Sequence, residues 1–181
     1  MPSCDIGELF DPREILPSGL HGFLTITEID RADFLVGPLF QRKFGEGPPN
    51  EPRHLVCLYR DKYGAQHLAG YSHMRPFGDV YLSGGSCTNG DTLRRMQSNE
   101  REAVENSGGV WFWLLKYAFR KYAGCCDAFF GHCGDPRALE VALAAGFVKT
   151  THEPIIVNWH KPLHETFKRA LLAKVVALGA F

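Results

Sequence analysis

CCDAFFGHCGDPRALEVALAAGFV, residues 125–148, is the stretch on which the fold turns. Its first part, Cys125 to Cys133, carries apolar side chains on both faces, as a strand in the middle of a sheet must. Gly134-Asp135-Pro136 then starts a helix. Asp135 stands at the N-cap, where its carboxylate accepts from free backbone amides, and Pro136 takes the first helical position, where a missing N–H costs nothing. The helix is predicted to run to about Ala145, with Gly146 ending it. Phe147 to Thr151 reads as a strand, His152 to Pro154 as a turn and Ile155 to His160 as a last strand.

Upstream, Val110 to Ala123 is apolar almost all round, which predicts a helix buried on most of its surface, with Lys116 and Arg120 marking a narrow wet stripe. A helix entering a central strand permits a parallel crossover. Before it lie three strands, His54 to Arg60, Gln66 to Met74 and Val80 to Cys87, separated by turns at Asp61 to Gly64 and Arg75 to Gly78. Such short connections make an antiparallel meander. Thr92 to Glu105 reads as a polar surface helix, broken by Asn106-Ser107-Gly108-Gly109. Gly22 to Ile29 reads as the first strand, and Asp30 as the N-cap of a helix from Arg31 to about Phe44 that Gly37 and Pro38 should kink or divide. Leu163 to Leu178 reads as a terminal amphipathic helix with Phe167, Leu171, Val175 and Leu178 on one face. The expected fold is therefore a mixed-sheet α/β domain spanning residues 1–181: an N-terminal arm at 1–20, a core at 22–160 and a terminal helix at 163–178.

Composition agrees with one globular domain: 181 residues, 45% hydrophobic and 22% charged. Lys plus Arg equals Asp plus Glu, 20 against 20, so no general charge excess favours nucleic acid or an anionic membrane. No apolar stretch has transmembrane length, and Met1 to Phe10 lacks a basic region followed by an apolar core, so a cytoplasmic protein is expected. Cys4, Cys57, Cys87, Cys125, Cys126 and Cys133 show no regular framework and are read as reduced thiols. No C-x-x-C pair occurs and no metal site is expected. No G-x-S-x-G elbow occurs either, which leaves a serine hydrolase unsupported.

The order of elements and several local patterns resemble the GNAT superfamily of acyltransferases over roughly residues 22 to 160. Leu68-Ala69-Gly70-Tyr71 is similar to the family's third-strand pattern, and Asp135-Pro136-Arg137-Ala138-Leu139 through Ala145-Gly146-Phe147-Val148 to its capped helix and Gly-Phe strand. The resemblance implies a V-shaped gap between Val80–Cys87 and Cys125–Cys133, with the pantetheine of acetyl-CoA or another acyl-CoA lying along Leu82, Ser83 and Gly84. It also implies a pyrophosphate on the amides at the start of the following helix, Ser107, Gly108, Gly109 and Val110, and a further contact at Asp135. The departures are concrete. About twenty residues separate the fourth strand from Gly108-Gly109, Glu105 stands where a basic or amide residue is usual, and Ala142 stands where the family often has a tyrosine.

The implied function is N-acyl transfer from acyl-CoA to a small-molecule or peptide amine. Ser83-Gly84-Gly85-Ser86 would be a bulge that splays the strands, since glycines inside a strand mark such places, or else a plain turn. His132 is a candidate base at the cleft, and Tyr81 a candidate proton donor. His73 and Asp79 flank a meander turn and rank lower. Two alternatives stand beside this reading: a GNAT-like domain without catalysis that serves as a binding module, and an acyltransferase fed by acyl carrier protein through Arg94, Arg95 and Arg101. The terminal helix either covers its own sheet or supports a homodimer.

Overall fold

The computed structural model describes residues 10–179 and 181. Within the arm it contains two short 3-10 turns, Pro12–Glu14 and Ser18–Leu20. Cys4, with the rest of residues 1–9, lies outside the described residues.

The strands form where apolar and β-branched residues run between turn signals. They are β1 (Leu24–Ile29), β2 (His54–Arg60), β3 (Gln66–Phe77), β4 (Val80–Thr88), β5 (Ala128–His132), β6 (Val148–Lys149) and β7 (Ile155–Asn158). All belong to one sheet of order β1-β2-β3-β4-β5-β7-β6. Only β4 and β5 are parallel; every other pair is antiparallel. The expected meander, parallel crossover and C-terminal hairpin are all present. β3 runs on to Phe77, because Phe77 pairs directly with Val80 and the turn shrinks to Gly78 and Asp79. At the other hairpin Asp61 Oδ1 accepts from the amides of Tyr63 and Ala65, each at 2.9 Å, and Gly64 takes φ +86°.

The helices are α1 (Asp33–Phe44), α2 (Gly90–Arg95), α3 (Ser98–Asn106), α4 (Val110–Tyr122), α5 (Pro136–Ala145) and α6 (Glu165–Leu178). Four differ from the sequence reading. Asp30 does not cap α1: the cap position is Ala32, and Asp33 places its charge in the first turn instead, at the positive end of the helix dipole. Pro38 stays inside α1 without ending it. The single helix expected over Thr92 to Glu105 is two, because Met96 is extended and Gln97 and Glu100 form a reciprocal capping box that restarts the chain as α3. The terminal helix begins at Glu165, where His164 Nδ1 accepts from the Thr166 amide at 3.3 Å. A 3-10 turn over Ala123–Cys125 also delays the start of β5 to Ala128. The expectation of six reduced thiols fails at Cys125, which is disulfide-bonded, whereas Cys57, Cys87, Cys126 and Cys133 are free.

Helices cover the two sheet faces differently. On one face α4 lies across the middle, burying Val110, Leu114, Leu115, Ala118 and Tyr122 against Leu55, Cys57, Ala69 and Tyr81. Full burial of each such leucine contributes roughly 1.5–3 kcal/mol. Gly70 of β3 permits this approach: a Cβ there would lie 2.5 Å from Val110 Cγ1. On the other face α1 covers Val56, Leu68 and Tyr71, and α6 covers Val80, Leu82 and Phe130. These are separate apolar clusters, and a crevice opens between them over the centre of the sheet.

Candidate active site

The parallel pairing of β4 with β5 runs from Val80↔Ala128 to Ser83↔Gly131 and stops there. β4 continues to Thr88, while the chain after His132 turns away into α5. From Gly84 onward β4 is therefore paired with β3 alone, and its other edge borders open space. A bulge sharpens the divergence. On β3 the register advances from Tyr71 to His73 while β4 goes from Cys87 back to Gly84, one residue more, and Gly85 takes φ +58° to absorb it. The Ser72 and Ser86 hydroxyls, 2.8 Å apart, tie the two sides of the bulge. A Cβ on Gly85 would come 3.1 Å from Phe40 Cζ of α1.

Three cavities meet at this point. One of about 260 Å³ fills the splay, lined by Ser83, Gly84, Gly85, His132, Asp135 and Phe147 among others. A second of about 350 Å³ follows the free edge of β4 to the start of α4, lined by Cys87, Thr88, Gly108, Gly109, Val110 and Arg137. The two share Ser86, Trp111 and Ala138 and so form one continuous groove. The third, about 420 Å³, is the crevice between α1 and Phe181 on the opposite face, and it joins the splay at Phe44, Gly84 and Gly85.

The start of α4 is a donor site. Gly108 and Gly109, at φ +107° and +88°, turn the chain so that their own amides bond back to Glu105 and Val104 carbonyls at 3.2 and 2.9 Å. The next amides, Val110, Trp111 and Phe112, lie in the first turn, where a helix offers no partner, and none is found among the described residues. Arg137 faces the same cavity and has no carboxylate within 4.0 Å among the described residues. It brings a positive charge to the cavity that Gly108 and Gly109 line. Nothing in the linear sequence joins it to that loop. The arginines singled out earlier are partly neutralised: Arg94 contacts Asp91, and Arg101 lies 4.0 Å from Glu105.

Ser83, Gly84, His132 and Asp135 are brought together at the splay, and Gly108, Gly109 and Val110 at the adjoining groove. Leu82 points to the opposite face and lines the crevice. Asp135 Oδ1 also accepts from the Ala138 amide at 2.8 Å, capping α5 as expected. His132 is exposed, with its ring 5.8 Å from that of Phe181. Ser107 and Tyr81 line none of the three cavities. The Ser107 hydroxyl donates to the Val104 carbonyl at 2.9 Å and accepts from Trp113 Nε1 at 3.1 Å. Tyr81 is 4% exposed and stacks on Tyr122 at 4.8 Å beneath α4, where strand alternation directs it away from the crevice, and burial pushes its hydroxyl pKa up.

His73 carries the signal that the sequence left weak. It is 3% exposed, lines the crevice and is the cross-strand partner of Gly84. Its Nε2 donates to the Glu51 and Pro52 carbonyls at 3.1 and 3.2 Å. Burial lowers its pKa against the opposing pull of those carbonyls. Burial likewise raises the Cys87 thiol to about 11, which disfavours its thiolate. Among the described residues no group of three or more His, Cys, Asp or Glu is arranged to hold a metal ion, and no described helix is long and apolar enough to cross a membrane.

No protein-family model matches the chain, and no curated protein matches it in sequence. By shape it is similar to N-acetyltransferases. The ribosomal-protein-S18-alanine N-acetyltransferase of Escherichia coli aligns at TM-score 0.45 and 13% identity, over 78% of this chain and 97% of that one. A GNAT-family acetyltransferase from Bacillus anthracis aligns at 0.43 and 11%, over 75% and 94%. A spermidine N-acetyltransferase chimera from Vibrio cholerae aligns at 0.47 and 13%, over 75% and 95%. These likenesses are of overall fold.

Proposed function

We propose that the chain transfers an acyl group from a CoA thioester to an amine. The observation that carries this reading is the free edge of β4 beyond Ser83, open along a groove that ends at the unpaired amides of α4. An extended pantetheine arm carries amide groups and can pair with such an edge as an added strand would. Its pyrophosphate would then meet the Val110, Trp111 and Phe112 amides and the guanidinium of Arg137. Its thioester would lie at the splay beside Ser83 and Gly84, where backbone amides can stabilise the oxyanion that develops when the amine attacks. The thiolate is a good leaving group, so holding the two reactants in line supplies much of the rate. His132 and Asp135 border the same cavity and are retained as contacts to the donor or the transition state.

Calorimetric titration with acetyl-CoA and CoA tests the reading. Micromolar binding is expected, weakened about tenfold or more by Arg137→Glu, which corresponds to about 1.4 kcal/mol. That side chain is exposed, so the variant should keep its melting temperature. Absence of binding at millimolar ligand overturns the proposal.

A further inference from the structure

The crevice between α1 and Phe181 opens onto the splay from the face opposite the donor groove. Its walls are apolar at Phe40, Phe44, Pro49 and Phe181, and Glu46 and Glu51 stand at the same crevice. On its floor, beside Gly84, is one imidazole. The Glu51 and Pro52 carbonyls can only accept, so the hydrogen bonds they receive fix the proton of His73 on Nε2. The lone pair is left on Nδ1.

We propose that His73 is the general base that removes the ammonium proton of a primary amine with an apolar body seated in this crevice. The inference rests on the acyl-CoA reading above, and it assigns to His73 the role for which His132 was the candidate. The ammonium proton passes to His73 Nδ1, leaving a neutral amine and an imidazolium. The amine lone pair forms a C–N bond to the thioester carbonyl carbon. Collapse of the tetrahedral adduct breaks the C–S bond, and the departing thiolate takes the second proton of the nitrogen. The imidazolium returns its proton to water, so the products are an amide, free CoA thiol and one proton.

The surroundings suit a base that is neutral at physiological pH. His54 on β2 lies with its ring 5.2 Å away and shares a 2.8 Å hydrogen bond with the Tyr71 hydroxyl. Burial disfavours the imidazolium, and Arg75 on β3, which lines the same crevice, disfavours it too. Glu51 on the preceding loop favours it, and with Glu46 supplies the negative charge that draws in a cation. Protonation would block the base, so the rate should rise with pH through a value below 6.5.

The test measures CoA release from acetyl-CoA with 2-phenylethylamine, hexylamine and spermidine, each at pH 6 to 10, for the full chain and for His73→Gln. A glutamine amide can still donate to both carbonyls but has no basic lone pair. The expected result is a loss of about a hundredfold or more in kcat/KM at pH 7. The loss should shrink toward pH 10, where the free amine is abundant, while acetyl-CoA affinity and melting temperature stay unchanged. No loss, or an equal loss at pH 7 and pH 10, assigns His73 a structural role and overturns the proposal. So does a wild-type chain that binds acetyl-CoA but acylates neither 2-phenylethylamine nor hexylamine, whether or not it acylates spermidine. A wild-type chain that does not bind acetyl-CoA instead overturns the acyl-CoA reading itself.

Discussion

The two halves of β4 are built for opposite purposes. Val80 to Ser83 is paired on both edges, and Val80, Tyr81 and Leu82 are buried beneath helices on both faces. Gly84 to Thr88 is paired on one edge only, interrupted by a bulge and composed of small residues that leave space. The first half closes the sheet and the second holds it open. On the acyl-CoA reading, one strand thus separates stability from binding along its own length, and a substitution should disturb mainly one or the other according to its side of Ser83.

The largest effect is expected in the closed half. Phe129 is fully buried, packs against Phe119 at 4.9 Å and is the parallel neighbour of Tyr81. Phe129→Ala should cost about 3–5 kcal/mol and lower the melting temperature by about 10 °C. Acetyl-CoA affinity, measured by calorimetry well below that temperature, should hold; a parallel loss of affinity would break the separation. In the open half Gly85→Val should cost about 1–3 kcal/mol, since it forces a β-branched residue to positive φ against Phe40. Its larger effect should be on acetyl-CoA binding, and an unaffected dissociation constant would mean that the bulge does not shape the groove.

A smaller effect concerns pH. Glu28 is raised by burial, but Lys121 at 2.8 Å and Arg53 at 3.3 Å outweigh this and hold it below the ordinary value of 4.5. A lowered carboxyl adds stability above its unfolded value, and the addition is lost as pH falls through the folded one. Arg53 also lies over the ring of Tyr122, on which Tyr81 stacks, so this loss falls on the closed half. Chemical denaturation of Glu28→Gln should show a shallower decline than wild type between pH 5 and pH 3. An unchanged slope would remove Glu28 from the account. The smallest effect is expected at Arg94, which is 73% exposed and contacts Asp91 on the surface. Arg94→Ala should change stability by less than about 0.5 kcal/mol and leave acetyl-CoA affinity intact. A drop in affinity would move the phosphate-binding charge from Arg137 to α2.

The closed half was legible in the sequence, and the open half only in outline. Apolar runs such as Ala128 to Phe130 and the Asp135-Pro136 start announce themselves through local chemistry, so strand order and the buried α4 followed. Ser83-Gly84-Gly85-Ser86 announced a bulge, although not its direction. Two errors had readable causes. Gln97-Ser98-Asn99-Glu100 has the spacing of a capping box, and it divides the helix that polarity alone ran together. Asp30 has the right chemistry for a cap but stands two residues too early. His73 and Arg137 were harder, because their interest comes from burial and from neighbours distant in the chain. His73 matters through Glu51, Pro52 and Gly84, and Arg137 through Gly108 and Gly109. Tyr81 was attractive as a proton donor by residue type alone, and the alternation of the strand turned it into the core.

The groove and the crevice touch only at Phe44, Gly84 and Gly85, and they open on opposite sides of the sheet. On the acyl-CoA reading, two reactants that arrive by separate doors need not take turns. Neither has to leave before the other enters, and the acyl group has no need to wait on the protein between them. Initial rates measured against both substrates should therefore give intersecting double-reciprocal lines, the pattern of a ternary complex, and a saturating amine should not compete with the thioester.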